Sequence, residues 1–266
     1  MQNFENISNI LSSHTIELYK EVFREPHPIG SGLLIYFQGR HLLISVNHVL
    51  DMEDNKSKIE NDPDEANIPQ DDMESIMAKG HDTFFNINDN IKALVCTAHY
   101  NQETKEVVFN DDIEWCVCKL SEDIVKCFIE NGKTFYKIDE ELLLNIKQGS
   151  QIIVSGYPKY AQKEEQEIHR SFECELIEKF EIGKSGLFRA WFNQDEAFCL
   201  EKNEKIRVRP KKEGLEGMSG GGLWYKGIDK LIPLGIFIKQ EEQYIEGYSL
   251  YEILKLYLQN IDEELN

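Results

Sequence analysis

A β-hairpin is predicted by residues 30–50, whose sequence is GSGLLIYFQGRHLLISVNHVL. Two apolar runs are separated by the polar, glycine-containing triplet Gln38-Gly39-Arg40, which is typical of antiparallel strands joined by a tight turn. His48 stands just where the second run ends. A histidine in that place either caps the strand or acts as a general base, because its unperturbed pKa lies near neutrality. The choice depends on whether a nucleophile occurs elsewhere in the chain.

A candidate nucleophile lies far downstream, in Gly217-Met218-Ser219-Gly220-Gly221-Gly222, which is followed by the apolar run Leu223-Trp224-Tyr225. Glycines let the backbone take positive φ and approach a substrate closely. Such a loop can direct successive NH groups at a developing oxyanion while it presents one hydroxyl. Glycine-serine stretches are also common in turns and linkers, and for the loop taken alone that interpretation stays open. A catalytic role for Ser219 therefore depends on His48 as its base.

The two motifs, in this order, resemble those of the trypsin-like (chymotrypsin-fold) serine peptidases, in particular their intracellular bacterial-type members. In that family the catalytic histidine follows a strand that ends in small residues and opens a helical turn, and Ser45-Val46-Asn47-His48-Val49-Leu50 fills that place. The family's order along the chain is His, acid, Ser, unlike the orders of subtilisins and α/β-hydrolases. Weaker matches are the Gly156-Tyr157-Pro158 turn and the strand over Ile232–Ile238. The resemblance spans roughly residues 29 to 262.

This resemblance implies an all-β fold of two antiparallel six-stranded β-barrels with an N-terminal and a C-terminal helix. The length of 266 residues fits, because β-barrel units of about 200 to 250 residues are ordinary. We expect an N-terminal helical extension over residues 1–28, a first barrel over 29–131 with an acidic insertion at 51–80, and a second barrel over 132–266. Apolar residues at near-helical spacing indicate the two helices, the second of them over Leu250–Leu258.

A third group is needed to hold the tautomer of His48 and to stabilise its imidazolium form, and a carboxylate is the usual choice. In the family that acid stands directly before an apolar strand that ends in a Lys-Leu-like pair. Counting back from Lys119-Leu120 gives Glu114, where the family more often has Asp. Asp112 is the alternative acid, since a bulge of one or two residues would bring it into register. A turn capped by acids, without a catalytic role, stays open for both residues.

The resemblance also assigns roles to the surroundings of Ser219. In the family's loop shape the backbone NH groups of Gly217 and Ser219 form the oxyanion hole. Met218 stands where peptidases that are activated by cleavage carry an acid, which pairs with the new N-terminal amine. We therefore expect no activation of that kind and a loop that is ordered in another way, for which a regulatory protein partner is one candidate. The specificity pocket is assigned to Glu213 at its base and to Lys239 and Gln240 in its wall.

The formal net charge of −19 disfavours nucleic acid and anionic membrane surfaces as partners, because both are repelled. No apolar stretch reaches the roughly 20 residues that cross a bilayer, and the N-terminus lacks the pattern of a secretory signal, so we expect a cytoplasmic protein. The six cysteines are then reduced, and Cys116 with Cys118 has no second pair nearby. The acidic insertion lacks the Gly and the distal Glu of a calcium loop. We expect no metal and no cofactor.

Three functions are compatible with these residues. The first is a serine endopeptidase that acts on protein or peptide substrates through a His48-Glu114-Ser219 triad. The second is a catalytically silent peptide- or protein-binding module on the same fold. The third is an esterase or acyl transferase that uses the same site. The presence of both His48 and Ser219 favours the enzyme, and an α/β-hydrolase is disfavoured because a strand-like run rather than a helix follows Gly217-Met218-Ser219-Gly220-Gly221.

Overall fold

The structure is a computed structural model of the chain. It describes residues 4–22, 25–50, 73–79, 84–86, 98–101, 106–109, 115–138, 150–158, 170–176, 187–192, 198–201, 204–207, 215–227, 230–241 and 244–264.

Within these residues the chain is mostly β-strand with a few helices. The helices are Phe4–His14 (α1), Asn47–Leu50 (α2), Glu122–Glu130 (α3) and Leu250–Glu264 (α4). The strands of the first half are Thr15–Val22 (β1), Glu25–Phe37 (β2), Arg40–Val46 (β3), Met73–Lys79 (β4), Phe84–Asn86 (β5), Ala98–Asn101 (β6), Glu106–Phe109 (β7), Trp115–Lys119 (β8) and Tyr136–Lys137 (β9). Those of the second half are Gln151–Gly156 (β10), Arg170–Leu176 (β11), Leu187–Trp191 (β12), Phe198–Glu201 (β13), Glu204–Arg207 (β14), Gly222–Lys226 (β15), Leu231–Glu241 (β16) and Tyr244–Ser249 (β17).

The first sheet contains the predicted hairpin. Its strand order is β5-β4-β1-β2-β3-β8, and β9 pairs with β2 in parallel. The hairpin joins β2 and β3, with Phe37 opposite Arg40 and positive φ at both turn residues, Gln38 and Gly39. That pair of dihedrals is the tight hairpin turn whose twist matches the flanking strands. The hairpin prediction is confirmed.

The second sheet closes on itself. Its order is β10-β15-β16-β17-β12-β11, and a further pairing between β10 and β11 returns to the start, so six antiparallel strands form a ring. The hairpin of β13 and β14 extends from β11. Buried residues of the ring and of the loop before β15 form one hydrophobic core, which includes Phe172, Met218 and Phe237. The predicted all-β class of the chymotrypsin-like type is confirmed, and the ring has the six strands predicted for each barrel, whereas the described part of the first sheet has seven.

A second core joins the first sheet, both terminal helices and five residues of the second sheet. Ile7 and Leu11 of α1 and Tyr257 of α4 are buried in it, together with Trp224 from β15. The Trp224 indole NH donates to the Ser155 hydroxyl at 2.9 Å, which satisfies a polar group in an apolar setting. The two sheets therefore share one packed boundary. Of the described helices, none is both long and apolar enough to cross a membrane.

Two expected boundaries differ from the structure. The helical extension expected over residues 1–28 ends at His14, because Thr15–Val22 forms β1 between β2 and β4. Thr15 and Ile16 are β-branched and both are buried, which favours a strand over a continued helix. The second unit was expected to begin at residue 132, but Tyr136 and Lys137 still pair with β2 of the first sheet.

Candidate active site

Ser219 lies in a tight loop that leads into β15. The Met218 NH donates to the Leu215 carbonyl at 3.0 Å, and the Gly221 NH donates to the Met218 carbonyl at 2.8 Å. The Gly220 NH donates to the Phe237 carbonyl at 2.8 Å, so the loop is attached to β16 before β15 begins. The backbone around Ser219 is thus held by the second sheet on both sides of that residue.

The same loop is seated against the first sheet. The Ser31 NH donates to the Ser219 carbonyl at 2.8 Å, and the Ser31 hydroxyl donates to the Gly217 carbonyl at 3.1 Å. A Cβ added at Gly220 would lie well inside contact distance of the Ser31 carbonyl and the Ser45 hydroxyl. Only glycine fits this approach, and its φ of 84° lies in the left-handed region as well.

His48 follows β3 in the short helix α2, as the sequence predicts. Val49, the next residue, is buried, and a Cβ added at Gly30 would lie 2.6 Å from its side chain and 3.0 Å from the Ser219 carbonyl. Gly30 is therefore flanked by the helical turn that carries His48 and by the loop that carries Ser219. Two residues about 170 positions apart in sequence are brought to the same corner of the boundary between the sheets.

The Ser219 hydroxyl donates to the carbonyl oxygen of Ile238 in β16, at 2.9 Å. Transfer of this proton to His48 requires a rotation of the serine side chain, which is a change between staggered rotamers. Such bonds in unliganded sites often realign only when substrate binds. In the structure the hydroxyl of the candidate nucleophile therefore donates to a backbone carbonyl.

Two backbone NH groups beside the hydroxyl have no acceptor among the described residues. They belong to Gly217 and Ser219, whereas the NH groups of Met218, Gly220 and Gly221 are all bonded. Gly217 has φ of 87°, which turns its amide relative to the rest of the loop. An oxyanion hole needs this combination of two unused donors next to a nucleophile.

Met218 packs into the core of the second barrel, where it is fully buried. Burial of a methionine side chain stabilises a protein by about 1.5–3 kcal/mol, so this residue anchors the loop by apolar packing. The sequence showed only that an acid was missing at this position. The structure shows that the side chain at this position packs in the core instead of forming an ion pair.

The predicted acids lie outside the described residues, both Glu114 and the alternative Asp112. Trp115 is the first described residue after them, and it pairs with Val46, two residues before His48. The third member of the triad stays a prediction.

The predicted pocket is described only in part, because Glu213 also lies outside the described residues. Lys239 forms ion pairs with Glu241 at 2.5 Å and with Glu246 at 3.4 Å. The hydrogen bond to Glu241 raises the pKa of Lys239, so its ammonium group stays charged. Gln240, the other predicted wall residue, is the next residue along β16.

The sequence did not reveal a buried acid that lies next to this wall. Glu246 of β17 has a side chain only 7% exposed, and Arg189 of β12 holds it at 2.7 Å. Its strand neighbours are Lys239 in β16 and Arg189 in β12, so two cations flank one carboxylate. A single acid in the otherwise apolar strand YIEGYS was the available signal. These ion pairs neutralise the charge of Lys239 in the predicted pocket wall, next to Ile238.

Another polar cluster, partly buried, connects α1 with the turn after β10. The Lys133 ammonium group donates to the carbonyls of Ser12 and Thr15 at 3.0 and 2.8 Å and to the Tyr157 hydroxyl at 2.9 Å. Burial lowers the pKa of Lys133 to about 8, while the charge of Glu17 opposes that shift. Burial also raises the pKa of Tyr157. Among the described residues, no group of three or more His, Cys, Asp or Glu is placed to hold a metal ion.

Comparison with solved structures agrees with this architecture. The scabies mite inactivated protease paralogue S-I1 is similar over 96% of this chain and 96% of its own, with a TM-score of 0.50 and 13% identity. This chain has the trypsin-like serine protease fold. Rv3671c from Mycobacterium tuberculosis H37Rv, in the inactive form of a serine-to-alanine mutant, aligns over 97% of this chain and 90% of its own, with a TM-score of 0.47 and 10% identity. By sequence, the chain matches no family model and no curated protein.

Proposed function

We propose that this protein is a serine endopeptidase of the trypsin-like type, with Ser219 as nucleophile, His48 as general base and Glu114 as the acid that orients His48. One observation carries the proposal. The unused NH groups of Gly217 and Ser219 lie on either side of Met218, in a loop that both sheets hold next to the helical turn of His48. A turn or linker without a catalytic role has no need of this arrangement.

The chemistry follows from these positions. His48 takes the proton of Ser219 as its oxygen attacks the carbonyl carbon of the scissile peptide. The carbonyl oxygen becomes an oxyanion, which accepts hydrogen bonds from the two NH groups, each worth about 3 kcal/mol in enzymes of this kind. His48 then gives its proton to the leaving amine, and an acyl-enzyme on Ser219 remains. Water repeats the steps with His48 as base and releases the carboxylate product.

A peptide-binding edge lies beside the nucleophile. Within the described residues, β15 pairs with β16 only as far as Ile236, while β16 continues to Glu241. When the Ser219 hydroxyl turns toward His48, the Ile238 carbonyl loses its present donor and can accept an NH from an extended substrate. Peptides commonly add to an exposed strand edge through main-chain hydrogen bonds. This geometry favours a peptide substrate over a small ester.

A fluorophosphonate probe tests the nucleophile. We expect wild-type protein to gain one covalent adduct at Ser219, and the variants Ser219→Ala and His48→Ala to stay unlabelled over the same time. Ser12→Ala, which removes the hydroxyl of another partly exposed serine, is the matched control and should label like wild type. Equal labelling of wild type and Ser219→Ala would contradict the proposal. Ester and peptide substrates assayed side by side then separate an esterase from a peptidase.

The second candidate is a binding module that does not cleave its ligand. The observation in its favour is the hydrogen bond that the Ser219 hydroxyl donates to the Ile238 carbonyl, which directs the hydroxyl proton at the backbone instead of at a base. The fold alone does not decide between the two, since one structural neighbour is itself described as an inactivated protease paralogue. A wild-type protein that binds extended peptides, leaves them intact and takes no probe would establish the binding module.

A further inference from the structure

We propose that Ser31 is a positioning residue that sets the orientation of the two oxyanion donors. This inference rests on the proposed function. Ser31 lies in β2 of the first sheet, is fully buried, and uses all of its polar groups. Its NH donates to the Ser219 carbonyl, its hydroxyl donates to the Gly217 carbonyl, and its own carbonyl accepts from the Ser45 hydroxyl at 2.8 Å.

Ser31 holds two peptide planes of the loop. The plane between Gly217 and Met218 is fixed at its oxygen by the Ser31 hydroxyl and at its NH by the Leu215 carbonyl. The plane between Ser219 and Gly220 is fixed at its oxygen by the Ser31 NH and at its NH by the Phe237 carbonyl. Because peptide units are planar and rigid, these four bonds limit the rotation of the units between and beside them. Those neighbouring units carry the NH groups of Gly217 and Ser219.

The direction of the Ser31 hydroxyl is itself determined. The Tyr157 NH donates to this oxygen at 3.0 Å, so one lone pair is occupied and the proton is directed at the Gly217 carbonyl. Tyr157 follows the last residue of β10, and its hydroxyl accepts from Lys133. One side chain of the first sheet thus connects the turn after β10 with the nucleophile loop. An alanine there would remove the partner of the partly buried Gly217 carbonyl and of the buried Tyr157 NH.

The test compares Ser31→Ala with wild type in steady-state peptide hydrolysis and in the rate of fluorophosphonate labelling. Removal of one oxyanion donor lowers kcat by about 10²–10³, and loss of its positioning should lower kcat by at least about 10-fold. KM should change by less than about threefold, because the oxyanion forms only in the transition state. Thr15→Val is the matched control, since it removes a buried hydroxyl that donates to the Leu11 carbonyl and lies 3.4 Å from the Ser155 hydroxyl, but that has no hydrogen bond to Gly217 or Ser219. A fall in kcat of equal size in both variants would overturn the proposal.

A second pair guards against a variant that fails to fold. Threonine and valine have the same size, so Ser31→Thr and Ser31→Val differ only in the hydroxyl. We expect Ser31→Thr to retain kcat and Ser31→Val to lose it; equal rates in this pair would contradict the role of the hydroxyl.

If wild type neither labels nor cleaves, the proposed function fails while the role of Ser31 is still measurable. Crystal structures of wild type and Ser31→Ala then decide it. A turned Gly217-Met218 peptide plane in the variant supports the proposal, and an unchanged plane overturns it.

Discussion

Replacement of Gly220 by alanine tests whether the nucleophile loop is seated on the first sheet. Gly220 has φ of 84°, and an added Cβ would clash with the Ser31 carbonyl and the Ser45 hydroxyl. Gly39 offers a matched control, because its φ is 79° and nothing lies within 4 Å of a Cβ added there. The two substitutions thus share the backbone conformation and differ in the contact.

The expected magnitudes follow from this difference. Placing an L-residue in the left-handed region costs roughly 1–2 kcal/mol, and that is the whole effect at Gly39. Overpacking adds about 1–3 kcal/mol at Gly220, because one clashing atom belongs to the backbone of β2 and cannot rotate away. We therefore expect the free energy of unfolding to fall by about 1–2 kcal/mol in Gly39→Ala and by about 2–5 kcal/mol in Gly220→Ala.

Urea unfolding followed by tryptophan fluorescence measures the free energy of unfolding of both variants. The comparison requires that the slope of this free energy against urea concentration is the same in both. A Gly220→Ala protein that unfolds at the same urea concentration as Gly39→Ala would refute the close approach of the loop to Ser31. Loss of probe labelling in Gly220→Ala alone would agree with it.

Three further predictions concern the core and the buried charge. Lys133 has a pKa of about 8 in the folded chain and of 10.5 in the unfolded chain, so between pH 8 and 10 the unfolded chain binds more protons. The free energy of unfolding should therefore rise by about 1 kcal/mol per pH unit in this range. Urea titrations of Lys133→Arg, which keeps its proton, should lack that slope, and a slope shared with wild type would contradict the lowered pKa of Lys133. Trp224→Phe removes the NH that donates to Ser155 and should lower the free energy of unfolding by about 1–3 kcal/mol, whereas a change below about 0.5 kcal/mol would argue against this bond. Met218→Leu should change stability by less than about 1.5 kcal/mol, while Met218→Asp buries an unpaired carboxylate and should cost more than about 3 kcal/mol in thermal or urea unfolding; equal effects would show that the side chain is not in the core.

The sequence predicted the parts of the fold that depend on neighbours in the chain. The hairpin over residues 30–50 could be predicted because two apolar runs separated by a glycine-containing turn are local signals. The strand Thr15–Val22 was not, because its apolar residues fit a helical spacing nearly as well, and the pairing with β2 and β4 decides its conformation. Ser31 was missed for a similar reason, since its bond to Gly217 joins residues 186 positions apart.

In the candidate site, too, local motifs could be predicted from the sequence and tertiary contacts could not. His48 and Ser219 were predicted from motifs, and the structure brings both to the boundary between the sheets. Met218 was read from the sequence as a missing acid, while its burial in the second core could come only from the tertiary structure. Glu246 and its two cations are joined by strand register across β12, β16 and β17, which no motif encodes.

Cleavage of a diverse peptide mixture, with product ends identified by mass spectrometry, tests the central claim most directly. Wild-type protein should produce new amino and carboxyl termini at internal peptide bonds, and Ser219→Ala should produce none beyond background. Peptides left intact by wild type, or the same products from Ser219→Ala, would contradict the assignment of peptide hydrolysis to Ser219.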